Sequence, residues 1–274
     1  MTGQIERVVV MLDAASENRS AIDIAVRLAV RTRTPLHGLF VEDQDLFRLA
    51  DLPFARQVTI GRGAEPLSAE NIALQLRAEA ERARHELASA AKRRQVECTF
   101  EIARGTTELR IAGASERELM ITGGSSRPIA GHFRVEHRWW SSLETMAGPF
   151  LLARLLWTAP GAVVILLRDR DAASARLFDT AAQIAAATDS TLAVLCAPPL
   201  AGTAGVEQWI AERAATHPVR VQVEVAPAEP AALRERLDQL DCRLVALDAG
   251  VVEGGGGGLR SLVERFSYDM LVVP

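Results

Sequence analysis

A single lysine limits the chemistry that this chain of 274 residues can carry. Of its 31 basic side chains every one but Lys92 is arginine. Lys92 lies in Ala91-Lys92-Arg93-Arg94, at the basic end of a predicted helix, where cations offset the helix dipole. A Walker lysine, a Schiff base or a Ser-x-x-Lys acylase therefore has no lysine in the setting it needs. Glycine and serine offer a different chemistry, because glycines let backbone N–H groups approach a polyphosphate. One such stretch is Gly123-Gly124-Ser125-Ser126-Arg127. The run Gly254 to Gly258, followed by Leu259-Arg260-Ser261, lacks the lysine and the leading glycine of a P-loop and reads as a flexible loop. No histidine stands in a context that marks it as the base for an activated serine. His132, Glu136 and His137 have no cysteine nearby and no fixed third ligand, so a metal site is not expected. In the same segment Phe133, Trp139 and Trp140 suit a pocket cover, a partner patch or core under a helix. His37 lies inside a predicted strand and reads as a satisfied core histidine, and His85, among charges in mid-helix, as a solvated one. Cys98, Cys196 and Cys242 are far apart, form no CxxC, and read as buried, inert thiols.

The elements that must hold these residues alternate. Arg7 to Leu12 is nearly all apolar, as a strand buried on both faces must be, and Asp13 follows it. A helix is predicted from Ser16 to Thr32, a strand from Leu36 to Val41, an irregular stretch, then a long helix from Ser68 to about Arg94. Val96 to Ile102 reads as a strand, Thr107 to Glu116 as a short helix, and Glu118 to Thr122 as a strand closed by the Gly123–Ser126 turn. Such alternation predicts a parallel sheet wound on both faces.

The order then restarts. Val8-Val9-Val10-Met11-Leu12 matches Val163-Val164-Ile165-Leu166-Leu167 at an offset of 155, and Ser142-Leu143 and Leu152 match Ser261-Leu262 and Leu271 at an offset of 119. With one extra residue in the second copy, Leu28, Thr32 and Leu36 fall on Ile184, Thr188 and Leu192. The second copy reads as strands at 162–168, 191–196, 218–225, 243–248 and 269–273, with helices at 172–187, 204–216, 229–240 and 260–267 between them. Thr158-Ala159-Pro160-Gly161 is the junction, giving an N-terminal domain of residues 1–157 and a C-terminal domain of residues 158–274.

This pattern resembles a tandem universal stress protein. The pieces that carry the resemblance are Val8-Val9-Val10-Met11-Leu12-Asp13 at the start and, at the end, Ser261-Leu262-Val263-Glu264-Arg265-Phe266 followed by Met270-Leu271-Val272-Val273-Pro274. It implies two doubly wound α/β domains, similar to the adenine nucleotide alpha hydrolases, paired as a pseudo-dimer through Phe150–Leu152 and Met270–Val273. It also implies a site for ATP, with Mg2+, and a sensing or regulatory role in the stress response. On this resemblance Asp13 and Val41 match the nucleoside positions. The phosphate motif, Gly-x-x-Gly, nine residues, then Gly-Ser or Gly-Thr, is matched only in part. Gly123 and Gly124 fit one register, while Gly131, Ser141 and Ser142 fit another, with Ser126 or Pro128 where a glycine belongs. In the second half Gly250 and Arg260-Ser261 keep the spacing, Leu247 stands for the first glycine, and Arg168 or a shifted Asp169 stands for Asp13. The alternative is a scaffold of the same fold that binds no nucleotide and works through protein partners or as a homo-oligomer.

Composition narrows the classes further. With 49% hydrophobic and 24% charged residues the chain is globular, and a net charge of −4 gives no field for nucleic acid. No apolar run exceeds six residues, so no membrane span is expected. The start of the chain lacks the features of a secretory signal, so a cytoplasmic location is expected. No catalytic constellation is present, so no enzymatic turnover beyond slow ATP hydrolysis is expected.

Overall fold

The computed structural model describes residues 5–13, 18–52, 54–59, 63–105, 110, 113–123, 146–154, 161–250 and 268–274. The strands of the first half are β1 (Arg7–Leu12), β2 (Leu36–Asp43), β3 (Arg56–Thr59), β4 (Gly63–Pro66), β5 (Cys98–Gly105), β6 (Glu118–Gly123) and β7 (Phe150–Ala153). Those of the second are β8 (Ala162–Leu167), β9 (Thr191–Cys196), β10 (Val221–Val225), β11 (Cys242–Asp248) and β12 (Asp269–Val273). Helices α1 (Asn18–Thr32), α2 (Gln44–Ala50) and α3 (Ala69–Arg93) belong to the first half. Helices α4 (Ala172–Ala187), α5 (Pro198–Ala201), α6 (Val206–Ala214) and α7 (Pro230–Gln239) belong to the second.

Ten strands form one sheet in the order β10-β9-β8-β11-β12-β7-β6-β1-β2-β5. Both halves thus place their first strand in the middle, the second and third to one side, and the fourth and fifth to the other. Every neighbouring pair is parallel except β12 and β7, which meet antiparallel with Met270 opposite Leu152, Leu271 opposite Leu151 and Val272 opposite Phe150. This is the pairing that the resemblance implies for these two apolar segments. The offset of 119 turns the Met270–Leu152 pair into the Leu271–Leu151 pair, and both are present.

The alternation of side chains sorts the core into two layers. Val8, Val10, Leu12, Leu119, Ile121, Val163, Ile165, Leu244 and Leu271 face α1, α3 and α4, and all are buried together in one cluster that crosses the β7–β12 seam. Val9, Met11, Met120, Phe150, Leu152, Val164, Leu247, Met270 and Val272 form a second cluster on the opposite face, which also crosses the seam. Helices join the halves as well. Arg31 on α1 donates to the carbonyl of Ala186 at 2.9 Å and to Asp189 at 3.3 Å. The backbone N–H of Ile5 meets Gln183 at 3.3 Å.

The ends of α1 and α4 repeat down to single hydrogen bonds. Thr32 Oγ1 donates to the Leu28 carbonyl at 2.7 Å and Thr188 Oγ1 to the Ile184 carbonyl at 2.8 Å. The next residues, Arg33 and Asp189, both turn left-handed at φ 55° and 53°. The following N–H groups, of Thr34 and Ser190, then close on Ala29 and Ala185 at 3.1 and 2.9 Å. Each pair ends its helix with a Schellman-type cap built without glycine.

Several boundaries differ from the sequence expectation. The stretch after β2 is not irregular: it holds α2 and the β3–β4 hairpin, and α2 packs through Leu46 against Ile72 and Leu76 of α3. β5 spans Cys98–Gly105 rather than 96–102, because Gln95 adopts φ 57° and residues 95–97 are spent turning out of α3. In the second half α6, β10 and α7 are each shorter than expected, and β11 starts one residue earlier. Residues 113–116, the end of the helix expected at 107–116, are turn and coil, and most of the rest of it lies outside the described residues. Gly38 is the position in β2 where a side chain has no room: a Cβ there would lie 2.3 Å from Leu87 Cδ2 of α3.

Candidate functional site

In an open doubly wound sheet, ligands bind beyond the carboxyl ends of the strands where the winding reverses. In the first half that point lies between β1 and β6. β1 carries β2 on one side, in register from Val8 opposite Leu36 to Leu12 opposite Phe40. It carries β6 on the other, up to Met11 opposite Thr122. Asp13 is the first residue beyond β1 and leads out of this crevice. Gly123 is the last residue of β6 and pairs with Ala153 of β7.

Val41 lies two residues inside the end of β2 rather than at it, because β2 continues beside β5 as far as Asp43 opposite Gly105. Its side chain is core. The pairing with β1 stops at Phe40, however, so the last three residues of β2 project past the β1 ladder on the side of Asp13. That overhang leaves strand backbone available beside the crevice. Its outer rim is held by Glu42, which is 12% exposed and accepts from Arg104 of β5 at 3.3 and 3.4 Å. The Arg104 guanidinium in turn lies 4.6 Å over the Phe47 ring of α2.

Two polar residues at this point are not singled out by the sequence. Thr122, 5% exposed, sits beside Met11 on a face whose other members are apolar. Asn18 opens α1, and its Nδ2 donates to the Asp13 carbonyl at 3.2 Å. Of the residues expected at the site, the structure brings together Asp13, Val41 and Gly123. Gly124, Gly131, Ser141 and Ser142 lie outside the described residues, as does the His132–Trp140 segment.

The equivalent crevice of the second half lies between β8 and β11, and its register fixes which residues correspond. Val163 pairs with Leu192 and Leu244 as Val8 pairs with Leu36 and Leu119. Arg168 therefore takes the place of Asp13, Ala197 that of Val41, and Asp248 that of Gly123. Leu247, expected in the place of that glycine, corresponds instead to Thr122. The N-terminus of α4 is already supplied with a carboxylate: Asp171 accepts from the Ser174 N–H at 2.8 Å. That bond holds the Asp171 carboxyl below its ordinary range, and burial only partly opposes it. The second crevice thus carries Arg168 where the first carries Asp13, and Asp248 where the first carries a glycine.

The remaining candidates are structural. His37 shares a 2.8 Å hydrogen bond with Thr99 and lies 3.7 Å from Glu101. Burial, then the charge of Arg7, lowers its pKa. His85 is exposed on α3. Cys196 and Cys242 are buried, but Cys98 is only partly so, since β5 is an edge strand. Burial raises the pKa of all three thiols. Among the described residues no group of three His, Cys, Asp or Glu side chains could hold a metal ion, and no helix is long and apolar enough to cross a membrane.

No protein-family model matches the chain, and no curated protein matches it significantly. Solved structures do. A universal stress protein from Archaeoglobus fulgidus is 13% identical, with 98% of each chain covered and a TM-score of 0.64. The fold is that of the universal stress proteins. A second, so named provisionally, from Pseudomonas aeruginosa, is 17% identical over 98% of this chain and 92% of its own, with a TM-score of 0.57. A protein of unknown function from the same species is also 17% identical over the same shares, with a TM-score of 0.55. At these identities the likeness establishes architecture: a mostly parallel α/β sheet flanked by helices.

Proposed function

We propose that this protein is a tandem universal-stress-like regulator or sensor that binds one adenine nucleotide, ATP with Mg2+, at the crevice between β1 and β6. The observation that carries this reading is the position of Asp13, which leaves β1 between Gly123 and the overhanging end of β2. A carboxylate there suits the nucleoside, the overhang offers backbone to a base, and Gly123, Gly124, Gly131, Ser141 and Ser142 supply the phosphate contacts. Residues 1–157 and 158–274 are the two domains of this reading, supported by the strand order that occurs twice and by the matched helix ends of α1 and α4. The protein works in the cytoplasm by binding, without turnover beyond slow ATP hydrolysis.

Arg168, Asp248 and Asp171 favour a different role for the second half, that of a scaffold which pairs with the first and binds no nucleotide. Isothermal titration of nucleotide-stripped protein with ATP and Mg2+ tests both statements. The expected result is saturable binding near one per chain, abolished in Asp13→Ala. Two sites per chain would refute the scaffold role of the second half, and no heat at millimolar ATP would refute the nucleotide reading altogether.

A further inference from the structure

Asn18 uses only half of its amide. Nδ2 donates to the carbonyl of Asp13, which ties the first residue of α1 to the end of β1. Oδ1 is shut off from solvent and accepts no hydrogen bond among the described residues, where it is the only side-chain acceptor in that condition. A carboxamide oxygen has two lone pairs to fill. Burying it empty costs at least what a hydrogen bond would return, so such an atom calls for an explanation. Reversing the amide does not remove the problem, since it would set Oδ1 against the Asp13 carbonyl oxygen. The atom left over is therefore an acceptor, and what would complete it is a donor.

The place of this atom narrows what the donor belongs to. The carbonyl that fixes Asn18 is that of the residue leading out of the β1–β6 crevice, so the empty acceptor lies next to the site described above, and a ligand group reaches it by displacing what now shuts it off. Phosphate oxygens bring no donor; waters held by Mg2+ do, and the analogues below, which leave the Mg2+ shell unchanged, set them apart from the nucleotide's own donors. On an adenine nucleotide the donors are the ribose hydroxyls and the exocyclic amine. The first turn of α4, Ala172-Ala173-Ser174, carries no carboxamide at all, and its end is capped by Asp171 instead. We propose that Asn18 is a ligand-binding residue of the first half, its Oδ1 accepting a hydrogen bond from a hydroxyl or amino group of the bound nucleotide. The residue thus reads the neutral part of the ligand, and this inference rests on the nucleotide reading of the crevice.

The test is titration of the full chain, wild type and Asn18→Leu, with ATP, 2′-deoxyATP, 3′-deoxyATP and ITP, each with Mg2+. Asn18→Leu weakens ATP binding about 3- to 10-fold, the range for one neutral hydrogen bond. The analogue that lacks the donor in question binds the wild type weaker by a similar factor and suffers no further loss in the variant, because the pair is already broken. Loss with the deoxynucleotides identifies a sugar hydroxyl; loss with ITP identifies the amine. Asn18→Ala, with no added bulk, gives the same pattern, and the ligand-free melting temperature of both variants does not fall in step with affinity. If both variants bind ATP within twofold of wild type, or if the analogue and variant losses simply add, Oδ1 takes no bond from the nucleotide and the proposal fails while the nucleotide reading stands. A wild type that binds no ATP overturns both.

Discussion

Leu271 lies on the seam where the halves meet, fully buried and opposite Leu151. Truncating it to alanine removes three carbons from a cluster that contains Val8 and Val10 of one half together with Val163 and Ile165 of the other. Leu→Ala at a site with little freedom to collapse costs about 2–5 kcal/mol, and about 3 kcal/mol is a fair centre for a strand residue held on both sides by the ladder. In a cooperative unit of this size that corresponds to a fall in Tm of about 6–12 °C. The sharper prediction concerns where the loss is felt. Because the cluster crosses the seam without a break, the halves unfold together, and Leu271→Ala must lower the protection of β1 as well as β8. Hydrogen–deuterium exchange on peptides covering Arg7–Leu12 and Ala162–Leu167, alongside guanidinium unfolding followed by circular dichroism, measures this. One transition with an unchanged m-value and equal loss of protection is expected. Two separated transitions, or a β1 that keeps its protection while β8 loses it, would refute the continuous core.

Gln95, held at φ 57° after α3 with no side-chain hydrogen bond among the described residues to keep it, gains from glycine. Gln95→Gly should raise stability by about 0.5–1 kcal/mol after the added flexibility of the unfolded chain is set against the relieved strain, and a Tm that falls or stays put contradicts this. His37 makes the fold sensitive to mild acid. Its pKa is lowered from 6.5 by burial and by Arg7. Below pH 6.5 the unfolded chain therefore takes up a proton that the folded imidazole does not, and stability falls as pH drops through that window. His37→Gln should flatten the decline in unfolding free energy between about pH 7 and 5; an unchanged slope would show that other groups set it.

The sequence announces the sheet because its strands are buried on both faces. Runs such as Val163-Val164-Ile165-Leu166-Leu167 have few other ways to fold, and the resemblance implies that the apolar segments Phe150–Leu152 and Met270–Val273 pair with each other. The excursion between β2 and α3 is harder to see. Arg56-Gln57-Val58-Thr59 and Gly63-Ala64-Glu65-Pro66 are short, carry little apolar signal, and pair chiefly with each other. The length of β2 is hidden for a related reason: Glu42 and Asp43 look like the start of a loop, and only the partner strand β5, with Arg104 opposite Glu42, keeps them extended. Asp13 is visible in the sequence through the resemblance, which implies a carboxylate directly after the first strand. Asn18 is not, since what sets it apart is an acceptor that nothing in the described fold satisfies. The correspondence between the two halves likewise follows from strand register, which puts Asp248 and not Leu247 in the place of Gly123.

The antiparallel seam reverses the sense of every strand beyond it. The crevice next to Asp13 and the one next to Arg168 therefore open toward opposite poles of the molecule, on opposite sides of a shared wall. A ligand held at one pole cannot touch anything at the other, and no single docking protein of ordinary footprint can survey both. The proposed function uses one pole only, that of Asp13, while the other carries Arg168 and Asp248 in the equivalent places. On the proposed function, a partner that responds to the nucleotide docks at the first pole, and the second is left for tethering.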